Sequence, residues 1–229
     1  MIVRIKKEVF DQFNSKLRLG LIKVDYSNHG SKLKESIHLL KEVEQMTRMT
    51  FNSKNVKDHG LIAPWRVAQE EFGKKAKHYH TSVERLLKVV LKRKSVATKN
   101  TLTNLVRYLS LKHLVPYGLD DYGKISEGLT FALATGRERV GPLRTVKKGA
   151  LYYKDKKNVL GTKLDYWKSK KTILDRNSKL ALIHIGALPP VNSKELNKVM
   201  KEAKNLISSF CQAKVESTVL HKKKNFIRI

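Results

Sequence analysis

The chain has 229 residues, of which 41% are hydrophobic, and this composition allows a well-buried core and excludes a mostly disordered protein. Forty-eight Lys and Arg stand against 20 Asp and Glu, a formal net charge of +28. This excess favours a polyanionic partner, with nucleic acid as the first candidate and an anionic membrane surface as the second. The single cysteine, Cys211, excludes an internal disulfide and a cysteine-based zinc site.

The first half of the chain begins with two predicted strands. Ile2–Ile5 alternates apolar and basic residues, and a longer apolar segment over 17–26 ends at turn residues 27–30. Apolar residues at helical spacing then predict a helix over 31–49. The polar segment 51–60 has no such period, and we expect a loop there.

Three more helices are predicted before residue 116. One begins near Pro64 and ends at Gly73, with proline in its first turn. Thr81 and Glu84 have the spacing of a capping box, which indicates where the next helix begins. Apolar positions at helical spacing predict a further helix over 101–113.

The sequence pattern of the second half of the chain predicts three strands, one long helix and a final strand-like segment. The strands are expected over 129–134, 150–154 and 180–188, followed by an amphipathic helix that Asn192 and Glu195 cap, and a basic strand-like segment over 214–229. Strands that flank a helical block without regular alternation predict an α+β fold with mixed sheets packed against helices. Since no internal repeat or long linker is visible, we expect a single domain over 1–229.

The basic residues are concentrated in two segments. Residues 74–94 hold eight Lys and Arg against one acid, and residues 144–179 hold twelve against three. Tyr166 and Trp167 lie within the second segment, and cations around aromatic rings suit phosphates together with unpaired bases. The plain alternative is that many of these lysines only solvate the surface.

Several short motifs follow one another in a distinctive order. They are Trp65, Phe72-Gly73, Thr81 to Leu87, Asn100, Ser110-Leu111, Pro116-Tyr117-Gly118, Asp121, Gly149 to Asp155 and Ala181 to Leu188. In this order and spacing, residues 60–190 resemble the B3/B4 editing domain of the phenylalanyl-tRNA synthetase beta subunit, in its free-standing form. The resemblance implies an α+β fold, the acceptor end of tRNA as partner, and hydrolysis of mischarged aminoacyl-tRNA without a metal or other cofactor.

The resemblance also suggests site residues. The candidates for catalysis are Asp121, His184, Asn100 and Ser110, and the candidates for the pocket are Pro116, Tyr117, Gly118 and Gly186. The candidates for tRNA contact are Lys74, Lys75, Lys77, Arg93, Arg107, Lys163, Tyr166, Trp167, Lys168, Lys170 and Lys171. Each catalytic candidate has a structural alternative: a cap or helix-surface group for Asn100 and Ser110, a turn for Asp121, and a satisfied core histidine for His184.

The chain departs from the family pattern at polar positions. Gly186 stands where relatives have the glutamate expected to hold the substrate amino group, and Gly118 stands where the synthetase has histidine. Arg107 replaces an asparagine, and Lys168 replaces a carboxylate. Three functions therefore stay open. The first is a tRNA deacylase, the second is a non-catalytic RNA-binding module of the same fold, and the third is a basic peripheral protein without RNA specificity.

The sequence also gives expectations for membrane contact, location and oligomeric state. No apolar run reaches the ~18 residues of a membrane span, and Met1 to Lys7 is already charged. We therefore expect a cytoplasmic protein without membrane contact. Charge repulsion between copies favours a monomer.

Overall fold

A computed structural model describes residues 1–26, 32–52, 54–65, 81–140 and 144–229 of the chain. Within these ranges the elements are β1 (Ile2–Ile5), β2 (Arg18–Asp25), α1 (Leu33–Thr50), α2 (Ser82–Leu91), α3 (Thr101–His113), β3 (Tyr117–Asp121), β4 (Leu129–Leu133), β5 (Leu151–Lys154), β6 (Val159–Thr162), β7 (Trp167–Lys168), β8 (Leu180–Ala187), α4 (Ser193–Cys211), β9 (Lys214–Leu220) and β10 (Phe226–Arg228). Two sheets packed with helices confirm the predicted α+β class.

The strands form two sheets. The larger has the order β10-β1-β4-β5-β6-β7, in which only the β1–β4 pair among the described strands is parallel. The smaller has the order β3-β8-β2-β9, with antiparallel neighbours throughout. Strand β8 is therefore central, and it positions β3 on one side and β2 on the other.

Strand β8 separates two layers of core. Ile183 and Ile185 pack on the side that carries apolar residues of α3 and α4. Leu182 packs on the opposite side, together with Phe131 and Tyr153 of the larger sheet. Because side chains alternate along a strand, His184 points with Leu182 into the space between the two sheets.

Two helices, α2 and α4, begin at the capping residues that the sequence predicts. The Thr81 amide donates to Glu84 Oε2 at 3.0 Å, which closes the capping box of α2. Asn192 and Glu195 form the second box at the start of α4. The helix expected from Pro64 to Gly73 lies mostly outside the described residues, and no described helix has both the length and the apolar character needed to cross a membrane.

Three strands were not predicted, namely β3, β6 and β7. Residues 116–121 contain proline, glycine and two aspartates, which locally favour a turn. The segment becomes a strand because it pairs with β8 from Tyr117 to Asp121. Strands β6 and β7 are four and two residues long, too short to show an alternating pattern.

Candidate functional site

Five polar side chains meet in the space between the two sheets, and we call them the buried cluster. They are Asp120 of β3, Tyr153 of β5, Asp165 of the β6–β7 turn, Lys168 of β7 and His184 of β8. Asp120 and His184 are fully buried, and the Asp165 side chain is 9% exposed. Charged groups at this depth need partners, since unpaired burial of a charge is costly.

Lys168 and Tyr153 connect the two carboxylates. The Lys168 ammonium donates to Asp120 Oδ1 and lies 2.5 Å from Tyr153 Oη. Tyr153 Oη in turn lies 2.5 Å from Asp165 Oδ1 and 3.1 Å from Asp120 Oδ2, so its single proton serves one carboxylate at a time. Thr172 completes the contacts of Asp120 by donating to its Oδ1 at 2.5 Å.

His184 lies beside these groups without a hydrogen bond. Its Nε2 is 3.6 Å from Asp120 Oδ2 and 3.8 Å from Asp165 Oδ2. The ring packs edge-on against Phe131 and Tyr153, at centroid distances of 5.3 and 4.7 Å. Among the described residues neither Nδ1 nor Nε2 has a hydrogen-bond partner, which is rare for buried polar atoms.

Two glycines provide the space for the cluster. A Cβ at Gly118 would lie 2.0 Å from His184 Nε2 and 2.5 Å from Asp165 Oδ2. A Cβ at Gly161 would lie 2.3 Å from Asp165 Oδ1. The cluster therefore exists because both strands lack a side chain at these positions.

A strained turn aims Asp165 into the cluster. Lys163, Leu164 and Asp165 have φ values of 53°, 49° and 64°, three consecutive left-handed residues without a glycine. This conformation costs roughly 1–2 kcal/mol per residue, and such strain is common at functional sites. The buried Leu164 side chain anchors the turn and lies where a Cβ on Gly186 would need to be, at 2.6 Å.

The pKa values of the two carboxylates in the cluster are shifted in opposite directions. Burial alone would raise the pKa of Asp120, but the Lys168 ammonium and the His184 ring hold this pKa well below its ordinary range. Burial raises the pKa of Asp165, and Lys168 only partly opposes this shift. Two adjacent acids with separated pKa values are a common arrangement for acid–base chemistry.

The cluster borders an open cleft of about 590 Å³, which we call the deep cleft. Asp165 and Lys168 line it, and they connect the cluster to solvent. Its other polar lining residues include Arg85, Arg107, Ser110 and Lys170, and its apolar wall includes Leu86, Val89, Val106 and Leu174. A volume of this size accommodates a small ligand or one end of a larger one.

A second depression of about 370 Å³ lies beside the deep cleft, and we call it the basic groove. Its cations are Arg85, Arg144, Lys147 and Lys163, its aromatic residues are Tyr166 and Trp167, and the described lining residues include no acid. Arg85 lines both depressions and donates from Nη1 to the Tyr166 carbonyl at 3.0 Å. The two sites are therefore adjacent on one basic face.

The catalytic candidates occupy different environments. Asn100 Oδ1 caps α3 by accepting from the Thr103 amide at 2.8 Å. Asp121 accepts from the Gly123 amide at 2.9 Å within its own turn, and from Ser178 Oγ at 2.5 Å, which lies 57 positions away along the chain.

Ser110 and His184 are closer to the cleft. Ser110 lines the deep cleft, but its hydroxyl donates to the Val115 carbonyl at 2.8 Å. His184 belongs to the buried cluster.

The residues predicted to form the pocket do not all lie in the same place. Tyr117 lines the deep cleft, whereas Pro116 packs in front of Gly186 with Leu164 and Trp65. The space in front of Gly118 is filled by the His184 ring. An open pocket therefore borders Tyr117, and the positions in front of both glycines hold side chains.

The predicted tRNA contacts fall into several groups. Lys163, Tyr166 and Trp167 line the basic groove, and Arg107, Lys168 and Lys170 line the deep cleft. Exposed Lys171 bonds to Asn158, and exposed Arg93 follows the end of α2. Lys74, Lys75 and Lys77 lie outside the described residues.

The structure adds residues that sequence reasoning did not single out. Asp120, Thr172 and Arg85 have no local signature, because their partners Lys168, Asp120 and Tyr166 lie 48, 52 and 81 positions away along the chain. The one available signal for Asp120 was its place two residues after Gly118, on the same strand face.

Comparison with known proteins identifies no family for this chain. No family model matches, and no curated protein sequence matches. Among solved structures, the chain is similar to an N-terminal fragment of the phenylalanyl-tRNA synthetase beta subunit from Pyrococcus horikoshii, with a TM-score of 0.43 and 9% identity over 93% of this chain. The match spans 49% of that fragment, and a likeness this weak carries no information on activity.

Proposed function

We propose that this protein binds the acceptor end of tRNA and hydrolyses mischarged aminoacyl-tRNA. The observation that carries the proposal is the deep cleft, whose cationic lining leads to Asp165 and Lys168 side by side. Phosphates suit the cations, and the two adjacent groups suit hydrolysis of an ester.

The binding part of the proposal is supported by the adjacent basic groove. Arg144 and Lys147 line it near Trp167, and the described groove lining carries no opposing acid. Cations beside aromatic rings fit an RNA strand whose phosphates pair with charge and whose unpaired bases stack. Because Arg85 lines both depressions, one strand end can extend from the basic groove into the deep cleft.

The chemical part of the proposal is supported by the different states of Asp165 and Lys168. Ester hydrolysis needs a base that takes a proton from water and a donor for the developing oxyanion. Burial raises the pKa of Asp165, which brings this carboxylate closer to the range of an effective base. The Lys168 ammonium lies 3.7 Å from Asp165 Oδ2 and supplies the positive charge.

The second candidate function is a non-catalytic RNA-binding module. The observation that favours it is that Asn100, Ser110 and Asp121 are each engaged by bonds within local structure. Lys168 is likewise held by Asp120. In this case the basic face would bind RNA, and no bond would be cleaved.

A deacylation assay separates the candidates. The protein is incubated with a panel of mischarged and correctly charged tRNAs, and the release of amino acid is compared with the spontaneous rate. We expect faster release from at least one mischarged tRNA, and a loss of about 10²-fold or more in Asp165→Asn with tRNA affinity retained.

Two results would overturn the hydrolase. If no tRNA is deacylated while tRNA binding persists at moderate salt, the binding module is correct. If the protein binds tRNA no better than DNA of equal length, both RNA-based functions are excluded. The matched variant Asp11→Asn, which makes the same acid-to-amide exchange at an exposed residue outside the lining of the deep cleft, controls for a general change in charge.

A further inference from the structure

The buried cluster contains one side chain, that of His184, to which no described residue is hydrogen-bonded. Lys168 binds Asp120 through Oδ1, and Tyr153 makes its short contact with Oδ1 of Asp165. The Oδ2 atoms of the two carboxylates lie 3.6 and 3.8 Å from Nε2 of His184. Asp120 Oδ2 also lies 3.1 Å from Tyr153 Oη, and Asp165 Oδ2 lies 3.7 Å from Lys168 Nζ, whereas His184 Nε2 has no hydrogen-bond partner among the described residues.

The spacing of these atoms matches a metal site. Suitable ligand atoms of Asp120, Asp165 and His184 all lie within 4.8 Å of one another. A tetrahedral ion with bonds of about 2.1 Å holds its ligands roughly 3.4 Å apart. Nε2 is within a few tenths of an ångström of that distance from either oxygen, and the two carboxylates, whose ligand atoms lie within 4.8 Å of each other, would move closer together on binding. One imidazole and two carboxylates are ligands that zinc and similar first-row divalent ions accept.

His184 supplies the independent reason to expect a ligand. It is fully buried, neither ring nitrogen has a hydrogen-bond partner among the described residues, and its Nε2 lies within 4 Å of an oxygen of each carboxylate. Among the described residues the two carboxylates share one ammonium, that of Lys168, which donates to Asp120 and lies 3.7 Å from Asp165 Oδ2. A divalent cation would satisfy the imidazole and both carboxylates together.

We propose that Asp120, Asp165 and His184 form a binding site for a divalent transition-metal ion, and that Lys168 competes with this ion. The Lys168 ammonium lies on the cleft side of the cluster with 16% of its side chain exposed, so it can turn toward the deep cleft when the metal binds. The site differs from the metal-free chemistry that the sequence resemblance implies. It does not depend on the proposed function, because it requires neither RNA nor hydrolysis.

The test is a titration of the full chain with Co²⁺, a spectroscopic substitute for zinc. We expect one ion per chain, visible absorption typical of low coordination, and displacement of cobalt by Zn²⁺. Lys168→Met should bind at least tenfold more tightly, since the competing charge is removed. His184→Gln and Asp165→Asn should each lose the signal.

The control is His38→Gln, which removes the exposed histidine that lies 3.3 Å from Glu42 on α1 and should leave binding unchanged. The proposal is overturned if wild-type protein binds no stoichiometric Co²⁺, or if binding persists in both His184→Gln and Asp165→Asn. Circular dichroism of each variant identifies a loss of fold, and if Lys168→Met does not fold, the wild-type titration decides alone. A failed titration would leave the deacylation assay unaffected.

Discussion

Gly118 and His184 are paired directly across β3 and β8, and the His184 ring occupies the volume that a side chain at 118 would need. The imidazole is thus supplied by one strand and accommodated by the other. The backbone position matters as much as the histidine, because the ring can reach the carboxylates only while its neighbour has no Cβ.

Gly118→Ala should destabilise the protein by about 1–3 kcal/mol, the usual cost of overpacking a filled core. The added Cβ would meet Nε2 and Cε1 of His184 at 2.0 Å. Urea denaturation measures the change in the free energy of unfolding. Gly60→Ala is the control, since a Cβ there has no neighbour within 4 Å. A free energy of unfolding for Gly118→Ala equal to that of the control would contradict the proposed packing.

Lys168→Met should cost about 3–5 kcal/mol at neutral pH, because it leaves the Asp120 carboxylate buried without its main cation. In the wild type the pKa of Asp120 is lowered, so its contribution is present above the unfolded pKa of about 3.9 and is lost as the pH falls through the folded value. In the variant, burial dominates and raises this pKa, so protonation favours the folded state.

The difference in unfolding free energy between wild type and Lys168→Met should therefore shrink as the pH falls from 7 toward 4. Thermal or urea denaturation across this range measures it. Lys156→Met is the control, since it breaks an exposed pair with Glu127 and should leave stability nearly unchanged. A difference that is constant with pH would show that Asp120 does not respond to Lys168.

Asn100→Ala should lower the free energy of unfolding by about 1 kcal/mol through loss of the α3 cap, while RNA affinity stays unchanged. Asn100→Asp should retain stability, because a carboxylate also caps and interacts favourably with the helix N-terminus. Paired denaturation and RNA-binding measurements distinguish this role from a role in the pocket. Weaker RNA binding in Asn100→Ala at full stability would instead place Asn100 at the ligand.

Local signals explain which elements could be predicted. Thr81 with Glu84, and Asn192 with Glu195, form capping boxes within four residues, so α2 and α4 are visible in the sequence. Strand β3 has no such signal, because its conformation depends on pairing with β8, whose paired residues lie 60 to 68 positions later in the chain. Local patterns therefore predict most of the helices, and long-range pairing determines the remaining strands.

The site was less predictable than the fold because charge alone does not identify a partner. Lys168 was predicted as a tRNA contact from its place in a basic segment. The structure turns its ammonium toward Asp120, 48 positions away, so most of the Lys168 side chain is buried. His184 was a candidate, but its neighbours Asp120 and Tyr153 come from strands whose arrangement the sequence does not specify.

RNA affinity should depend on salt through the basic groove. The logarithm of the RNA-binding constant falls linearly with the logarithm of the salt concentration. If Arg144 and Lys147 each contact a phosphate of a single strand, Arg144→Gln and Lys147→Gln should each reduce the magnitude of this slope by roughly 0.7. Fluorescence titrations with a short single-stranded RNA at several salt concentrations measure the slope. Lys41→Gln removes the same charge from an exposed position on α1, away from the groove lining, and serves as control. Equal slopes in all variants would exclude the groove as the contact.

The left-handed run at Lys163, Leu164 and Asp165 limits how this chain can vary in evolution. Glycine, asparagine and aspartate tolerate that conformation best, so position 163 should drift toward these residues in natural relatives that keep the turn. Position 164 should stay apolar and unbranched at Cβ, since its side chain fills the space in front of Gly186. Relatives in which residue 186 carries a side chain should therefore have a smaller residue at 164 or a differently shaped turn, and Asp165 would then be aimed elsewhere.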